Sequence, residues 1–166
     1  TYAAPGNEFS DLAVAMDKVE LNLAGQVRAG LSYPALHLQA HHQIAEVLQS
    51  AGIINMGSED AVACGLSSVF FPHGLGHFIG LQTHDVAGLV DNNGQDLLRP
   101  EGHPYLRLTR ELEVGNVMTI EPGLYFIPSI LAGWKHGSDA GAINWKAIEH
   151  YLPYGGIRIE DNVVVT

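Results

Sequence analysis

Apolar residues recur at spacings of three and four near the start of the chain: Phe9, Leu12, Ala13, Met16, Val19, Leu23 and Val27. That period predicts an amphipathic helix, because three and four residues each complete about one helical turn. Asn7 is its natural cap, Glu8 and Asp11 suit its positive end, and Gly30 is its stop. A second helix follows, capped by Ser32 with Pro34 in its first turn, where a missing N–H costs nothing. Its apolar face is Leu36, Ala40, Ile44, Val47 and Leu48, and Gly52 ends it. Ahead of both, Thr1 to Gly6 reads as the end of a strand entering a turn. Two amphipathic helices in series need a sheet to cover.

The period then changes. Residues 57–68 are polar, with room for one small helix, and Val69-Phe70-Phe71 is apolar. Residues 91–104 hold Asn92, Asn93, Gly94, Pro100, Gly102 and Pro104, which no regular element tolerates. Residues 106–110 alternate as a strand does. Residues 117–121 form a second strand, entered through Gly115-Asn116, and Pro122 forces Glu121 into extended geometry. Residues 128–154 are an excursion containing Trp134, Trp145 and a short helix at 145–150. Residues 156–160 alternate, with Arg158 and Glu160 on one face and Ile157 and Ile159 on the other, and 162–166 are strand-like. The pattern is α+β: two helices, then a curved, mostly antiparallel sheet.

Composition narrows the partners. The 166 residues suffice for one domain with a sizeable core, and 46 % apolar against 16 % charged residues describes a folded chain. Eight basic and 18 acidic residues give a net charge of −10 without any basic run. That argues against a nucleic-acid or anionic-membrane surface and is compatible with a small substrate or a cation. Cys64 is the one cysteine, so no internal disulfide can form. It reads as a small buried hydrophobe, in a protein of the reducing cytoplasm. No apolar run reaches the roughly 20 residues of a membrane span, and no signal peptide is expected.

The candidate chemistry centres on Phe71-Pro72-His73-Gly74-Leu75-Gly76-His77-Phe78-Ile79-Gly80-Leu81-Gln82-Thr83-His84-Asp85. Imidazoles suit borderline divalent ions and proton transfer near neutrality, and glycines let backbone approach closely. If the apolar tail of this stretch is extended, His77 and His84 point to opposite faces, one towards a metal and one towards a substrate. In the second helix His37 and His41 have chelating spacing, but Leu38 stands where a metalloprotease helix carries glutamate. Packing near the site, with one ring hydrogen-bonded, is the reading of that pair. Glu121 and Glu160 lie among apolar strand residues, where a carboxylate is costly without a compensating cation or donors. With His77 they make a site for Mn, Co or Zn, and two bridging carboxylates suit ions roughly 3.5–4 Å apart. Spacing alone leaves a blander account equally open, with Glu121 capping backbone amides and Glu160 paired with Arg158.

Three motifs in order resolve that choice by resemblance: His73-Gly74-Leu75-Gly76-His77 with His84-Asp85, Thr119-Ile120-Glu121-Pro122-Gly123-Leu124-Tyr125, and Gly156-Ile157-Arg158-Ile159-Glu160-Asp161. Together they resemble the creatinase/aminopeptidase metallopeptidases of pita-bread fold over essentially the whole chain. Tyr125-Phe126-Ile127-Pro128-Ser129 and Gly30-Leu31-Ser32-Tyr33 favour the bacterial Xaa-Pro dipeptidase (prolidase) branch, related to the organophosphorus acid anhydrolases. The resemblance implies hydrolysis of Xaa-Pro dipeptides at two divalent ions, Mn first with Co or Zn possible, whose shared hydroxide attacks the carbonyl before proline. It makes His77, Glu121 and Glu160 metal ligands, Glu121 also the general acid/base, and His73, His84 and Arg158 catalytic partners. Arg110 would hold a dipeptide's free carboxylate, and Tyr33 and Leu106 would line the pocket for the leaving residue.

The family's other two ligands are aspartates on strands that precede Thr1-Tyr2; Asp85 and Asp161 do not match them. Residues 1–166 are therefore expected to be the C-terminal portion of the catalytic domain, without the two-aspartate segment or the N-terminal domain. Alone, this portion should bind metal incompletely and be inactive, whereas the intact enzyme should be a cytoplasmic homodimer. The alternatives are a non-catalytic pita-bread module that binds peptides or proteins and, among enzymes, an Xaa-Pro aminopeptidase.

Overall fold

The computed structural model describes residues 6–166, so the strand expected at the N-terminus lies outside the described residues. Both long helices form: α1 spans Glu8–Ala24 and α2 Tyr33–Ser50. The Ser10 amide donates to Asn7 Oδ1 at 2.8 Å, as the predicted cap requires. α1 ends six residues before Gly30. Gly25 weakens the helix, and the Gln26 and Val27 amides turn back to Leu23 and Ala24 at 3.1 Å, tightening the chain out of α geometry. α2 stops where predicted. Gly52 takes φ +66°, its amide reaches Gln49 O at 3.0 Å, and the Ile53 amide reaches Leu48 O at 2.9 Å. That pair of bonds satisfies carbonyls the helix end would otherwise orphan.

The chain divides into two compact units, one of the N-terminal stretch to Lys18, His41–Pro72 and Gly123–Arg158, the other of Val19–Ala40, His73–Pro122 and Ile159–Thr166. In the first, strands β2 (Gly123–Tyr125) and β3 (Gly156–Arg158) pair antiparallel, with Leu124 opposite Ile157. Short helices α3 (Ser58–Ala63), α4 (Ser67–Phe70), α5 (Pro128–Trp134) and α6 (Trp145–Tyr151) belong to the same unit. Its core is aromatic: Phe126 stacks on Tyr151 at 5.2 Å and meets the edge of Phe70 at 6.2 Å. Cys64 corrects the sequence reading. It is exposed at the end of α3, which turns Ala61 inward instead.

In the second unit β1 (Val117–Ile120) pairs antiparallel with β4 (Asp161–Val164), in a register from Val117↔Val164 to Ile120↔Asp161. The strand expected at 156–160 is therefore broken, and Ile159 and Glu160 lie between β3 and β4. Pro122, whose carbonyl accepts the Ile159 amide at 3.4 Å, has no N–H to extend a ladder. The expected strand at 106–110 pairs in no ladder. Leu106 and Leu108 are buried and Arg107 is exposed, as alternation requires, yet the segment's backbone bonds go to helical turns. Thr109 N donates to Gly88 O at 2.8 Å in the short 3-10 turn Val86–Leu89, and Arg110 O accepts the amide of Tyr33, the first residue of α2, at 3.0 Å. Alternation reports a half-buried extended chain, and pairing needs a neighbour that this segment lacks. No helix among the described residues is long and apolar enough to cross a membrane.

Candidate metal centre

Ligand atoms of His77, Glu121 and Glu160 lie within 4.8 Å of one another. Three segments far apart in sequence supply them. The glycine-rich loop brings His77, the residue after β1 is Glu121, and the residue before β4 is Glu160. His77 and Glu121 are buried and Glu160 is exposed; neither carboxylate lies inside a strand, and the burial expected of both is found at Glu121 alone. Glu160 escapes burial because it stands in the break between β3 and β4.

The donor set is arranged for a cation. His77 Nδ1 lies 2.9 Å from Phe78 O, and a carbonyl only accepts, so Nδ1 carries the proton. In the neutral ring this leaves the Nε2 lone pair facing Glu121 Oε1 at 3.4 Å. Oε1 also accepts the Thr119 hydroxyl at 3.2 Å, and the same hydroxyl oxygen accepts the His77 amide at 3.0 Å. One imidazole nitrogen and two carboxylates fit a borderline divalent ion such as Mn or Zn.

His84 departs from expectation. Residues 80–84 bend back, Phe78 bridges Asp85, and the Asp85 amide donates to Phe78 O at 3.1 Å. The stretch is thus a closed loop, and the His84 ring lies 4.3 Å from that of His77 instead of on the opposite face. The Asp85 carboxylate caps the following turn through the Ala87 amide at 2.9 Å. His73 binds Gly74 O through Nδ1 at 2.8 Å, which fixes its tautomer in the same way.

Arg158 is exposed; its Nε donates to the Tyr125 hydroxyl at 2.5 Å, and its guanidinium lies 5.6 Å from that ring's centre. Arg110 binds Asn92 Oδ1 and, at 3.3 Å, Glu113 Oε1. Tyr33 and Leu106, expected to line a pocket, are closed to solvent at 0 % and 1 % exposure. Tyr33 donates to Thr119 O at 2.8 Å, and burial, then the Glu121 charge, raises its pKa well above the ordinary tyrosine value. The sequence reading named Thr119 within a motif but gave it no task; its place two residues before Glu121 on β1 was the available signal.

His103 was also missed, lying in a loop read only as irregular. Its Nδ1 is 3.0 Å from His37 Nε2, the rings perpendicular, while His41 Nδ1 meets Ser67 Oγ at 2.9 Å. Hydrogen bonding is thus the observed state of both helix histidines. Burial, then the charges of His103 and His73, lowers the His37 pKa to about 3. The folded chain therefore refuses a proton that the unfolded chain accepts below pH 6.5. Stability should be flat in this respect above that pH, and should fall by up to roughly 1.4 kcal/mol per unit as pH drops towards 3. Urea unfolding across this range checks it, and the decline should be shallower in His37→Gln.

Residues 1–166 match metallopeptidase family M24. The chain is 52 % identical over 168 residues to the Xaa-Pro dipeptidase of Xanthomonas oryzae pv. oryzae, covering 100 % of this chain and 38 % of that protein. It is 48 % identical over 166 residues to the Xaa-Pro dipeptidase of Aeromonas hydrophila, covering 99 % and 38 %. The chain thus spans 38 % of the length of these curated relatives. An aspartate-to-alanine variant of Escherichia coli aminopeptidase P superimposes with a TM-score of 0.62 at 27 % identity, covering 100 % of this chain and 30 % of that one. Zn-substituted E. coli aminopeptidase P in complex with product gives 0.63 at 25 %, with the same coverage. These neighbours carry the pita-bread α+β fold. Matched along its whole length and sharing half its residues with the Xanthomonas protein, the chain belongs to metallopeptidase family M24.

Proposed function

We propose that this chain is the C-terminal portion of the catalytic domain of an Xaa-Pro dipeptidase and supplies three ligands of its divalent-metal centre. The observation that carries the reading is the convergence of His77, Glu121 and Glu160 within 4.8 Å. Metal ions bound there supply Lewis acidity, which acidifies water and steadies charge developing on the scissile carbonyl. Three residues do not complete the shell of two ions, so the remaining donors come from outside this chain. Manganese, a cytoplasmic location and a homodimer belong to the same reading, on the strength of the family resemblance.

The chain's own side chains do the rest. Glu121, whose Oε1 accepts the Thr119 hydroxyl and faces His77, takes a proton and passes it to the departing prolyl nitrogen. His84, exposed beside His77, is placed to donate to the carbonyl oxygen as it gains charge. His73, its ring oriented by the Nδ1 bond to Gly74 O, exchanges protons with substrate. Arg158 supplies a fixed positive charge. Arg110 anchors the dipeptide's free carboxylate by exchanging its exposed partner Glu113 for the substrate. Tyr33 and Leu106 shape the site from behind.

A second reading, Xaa-Pro aminopeptidase, draws support from the solved neighbours, which are named aminopeptidase P. Substrate length separates the two. With an arginine reading the carboxylate that follows proline, the complete enzyme should favour Ala-Pro over Ala-Pro-Ala by about 10- to 100-fold in kcat/KM, the worth of one charge-assisted bond. Equal or better cleavage of the tripeptide would select the aminopeptidase. A non-catalytic binding module would cleave neither, and nothing in that role calls for the three metal-type residues to converge.

A further inference from the structure

We infer that Thr119 is a positioning residue of the metal centre, one hydroxyl setting both the imidazole and the carboxylate; this deepens the reading above and rests on it.

All of Met118, Thr119 and Ile120 on β1 are buried, so the strand is covered on both faces and valine would serve its packing as well as threonine. Thr119 is 2 % exposed, and a hydroxyl costs free energy there unless it is bonded. Its oxygen takes the His77 amide at 3.0 Å and its single proton goes to Glu121 Oε1 at 3.2 Å. The polarity of this chain is fixed, because an amide only donates and the hydroxyl has one proton to give. Thr119 therefore ties the loop that carries His77 to the carboxylate that faces it.

Thr119 is itself held at three points. The Tyr33 hydroxyl donates to its carbonyl at 2.8 Å, and its amide donates to His77 O at 3.0 Å. Gly76 presses against it so closely that a Cβ there would lie 2.7 Å from Thr119 Oγ1 and closer still to its carbonyl oxygen. A hydroxyl this constrained sets where His77 Nε2 and Glu121 Oε1 meet. Partners of this kind orient metal ligands and are commonly worth about 10- to 100-fold in affinity or turnover.

The test compares Thr119→Ser, Thr119→Ala and Thr119→Val in the complete enzyme, reading Mn affinity by calorimetry together with kcat and KM on Ala-Pro. Serine and alanine differ only in the hydroxyl, so that pair stays informative if valine folds poorly. Serine should remain within about threefold of wild type in every quantity. Alanine and valine should bind Mn about 10- to 100-fold more weakly and lose kcat by a similar factor, with KM little changed. Alanine matching serine in both Mn affinity and kcat would overturn the inference. The calorimetric arm reads Thr119 whether or not the wild type cleaves Ala-Pro, so a wrong substrate assignment and a wrong role for Thr119 give different results.

Discussion

Glu121→Gln in the complete enzyme should lower kcat on Ala-Pro by about a thousandfold or more, while the protein still folds and melts close to wild type. General acid/base groups contribute on the order of 100- to 10,000-fold, and here the same substitution also strips charge from a metal ligand. The fold should survive because glutamine is isosteric. With its amide oxygen in the place of Oε1, it can still accept the Thr119 hydroxyl. A buried amide with no bond at all would be costly, but this one keeps the Thr119 hydroxyl as a partner. Steady-state kinetics alongside a melting curve and metal analysis makes the check. Turnover within tenfold of wild type in a metal-loaded, folded variant would remove Glu121 from the chemistry.

The second large effect is structural. Gly76→Ala should destabilise the chain severely, by about 3 kcal/mol or more, and should destroy Mn binding even if the protein folds. A methyl at position 76 would collide with the Thr119 carbonyl oxygen, the Tyr33 hydroxyl and Thr119 Oγ1. Two of these atoms belong to a strand and to the fully buried Tyr33, so neither can step aside as a surface side chain would. Overpacking a well-filled interior costs about 1–3 kcal/mol where neighbours can shift, and backbone cannot. Relief would have to come from moving the loop, and His77 is the next residue. Denaturant unfolding and calorimetry with Mn, both on the complete enzyme, test this. A variant that unfolds within about 1 kcal/mol of wild type and binds Mn normally would show that the contact yields.

How much of this could be read from the chain depends on how local each feature is. The helices follow from apolar spacing, and the end of α2 from Gly52, because capping is decided within a few residues. His77, Glu121 and Glu160 were legible as a set through three ordered motifs, although spacing alone could not choose between a metal site and ordinary hydrogen bonding. Segments 106–110 and 156–160 misled because alternation records burial, whereas pairing depends on a neighbour the pattern does not name. His84 was placed on the wrong face because the bend over 80–84 is set by the contact of Phe78 with Asp85, not by local preference. Cys64 misled because a lone cysteine carries little positional signal. Thr119 and His103 went unassigned for a related reason: their tasks are defined by partners 42 and 66 residues away.

The gap between the paired strands has a consequence for redesign. Glu121 and Glu160 each stand one residue outside the four-pair β1–β4 register, so neither helps to hold the strands together. Chemistry and scaffold are therefore separable at these two positions. Swapping a carboxylate for an imidazole or an amide to retune ion preference need not disturb the register, a freedom that substitution at Met118 or Ile120, inside it, does not offer.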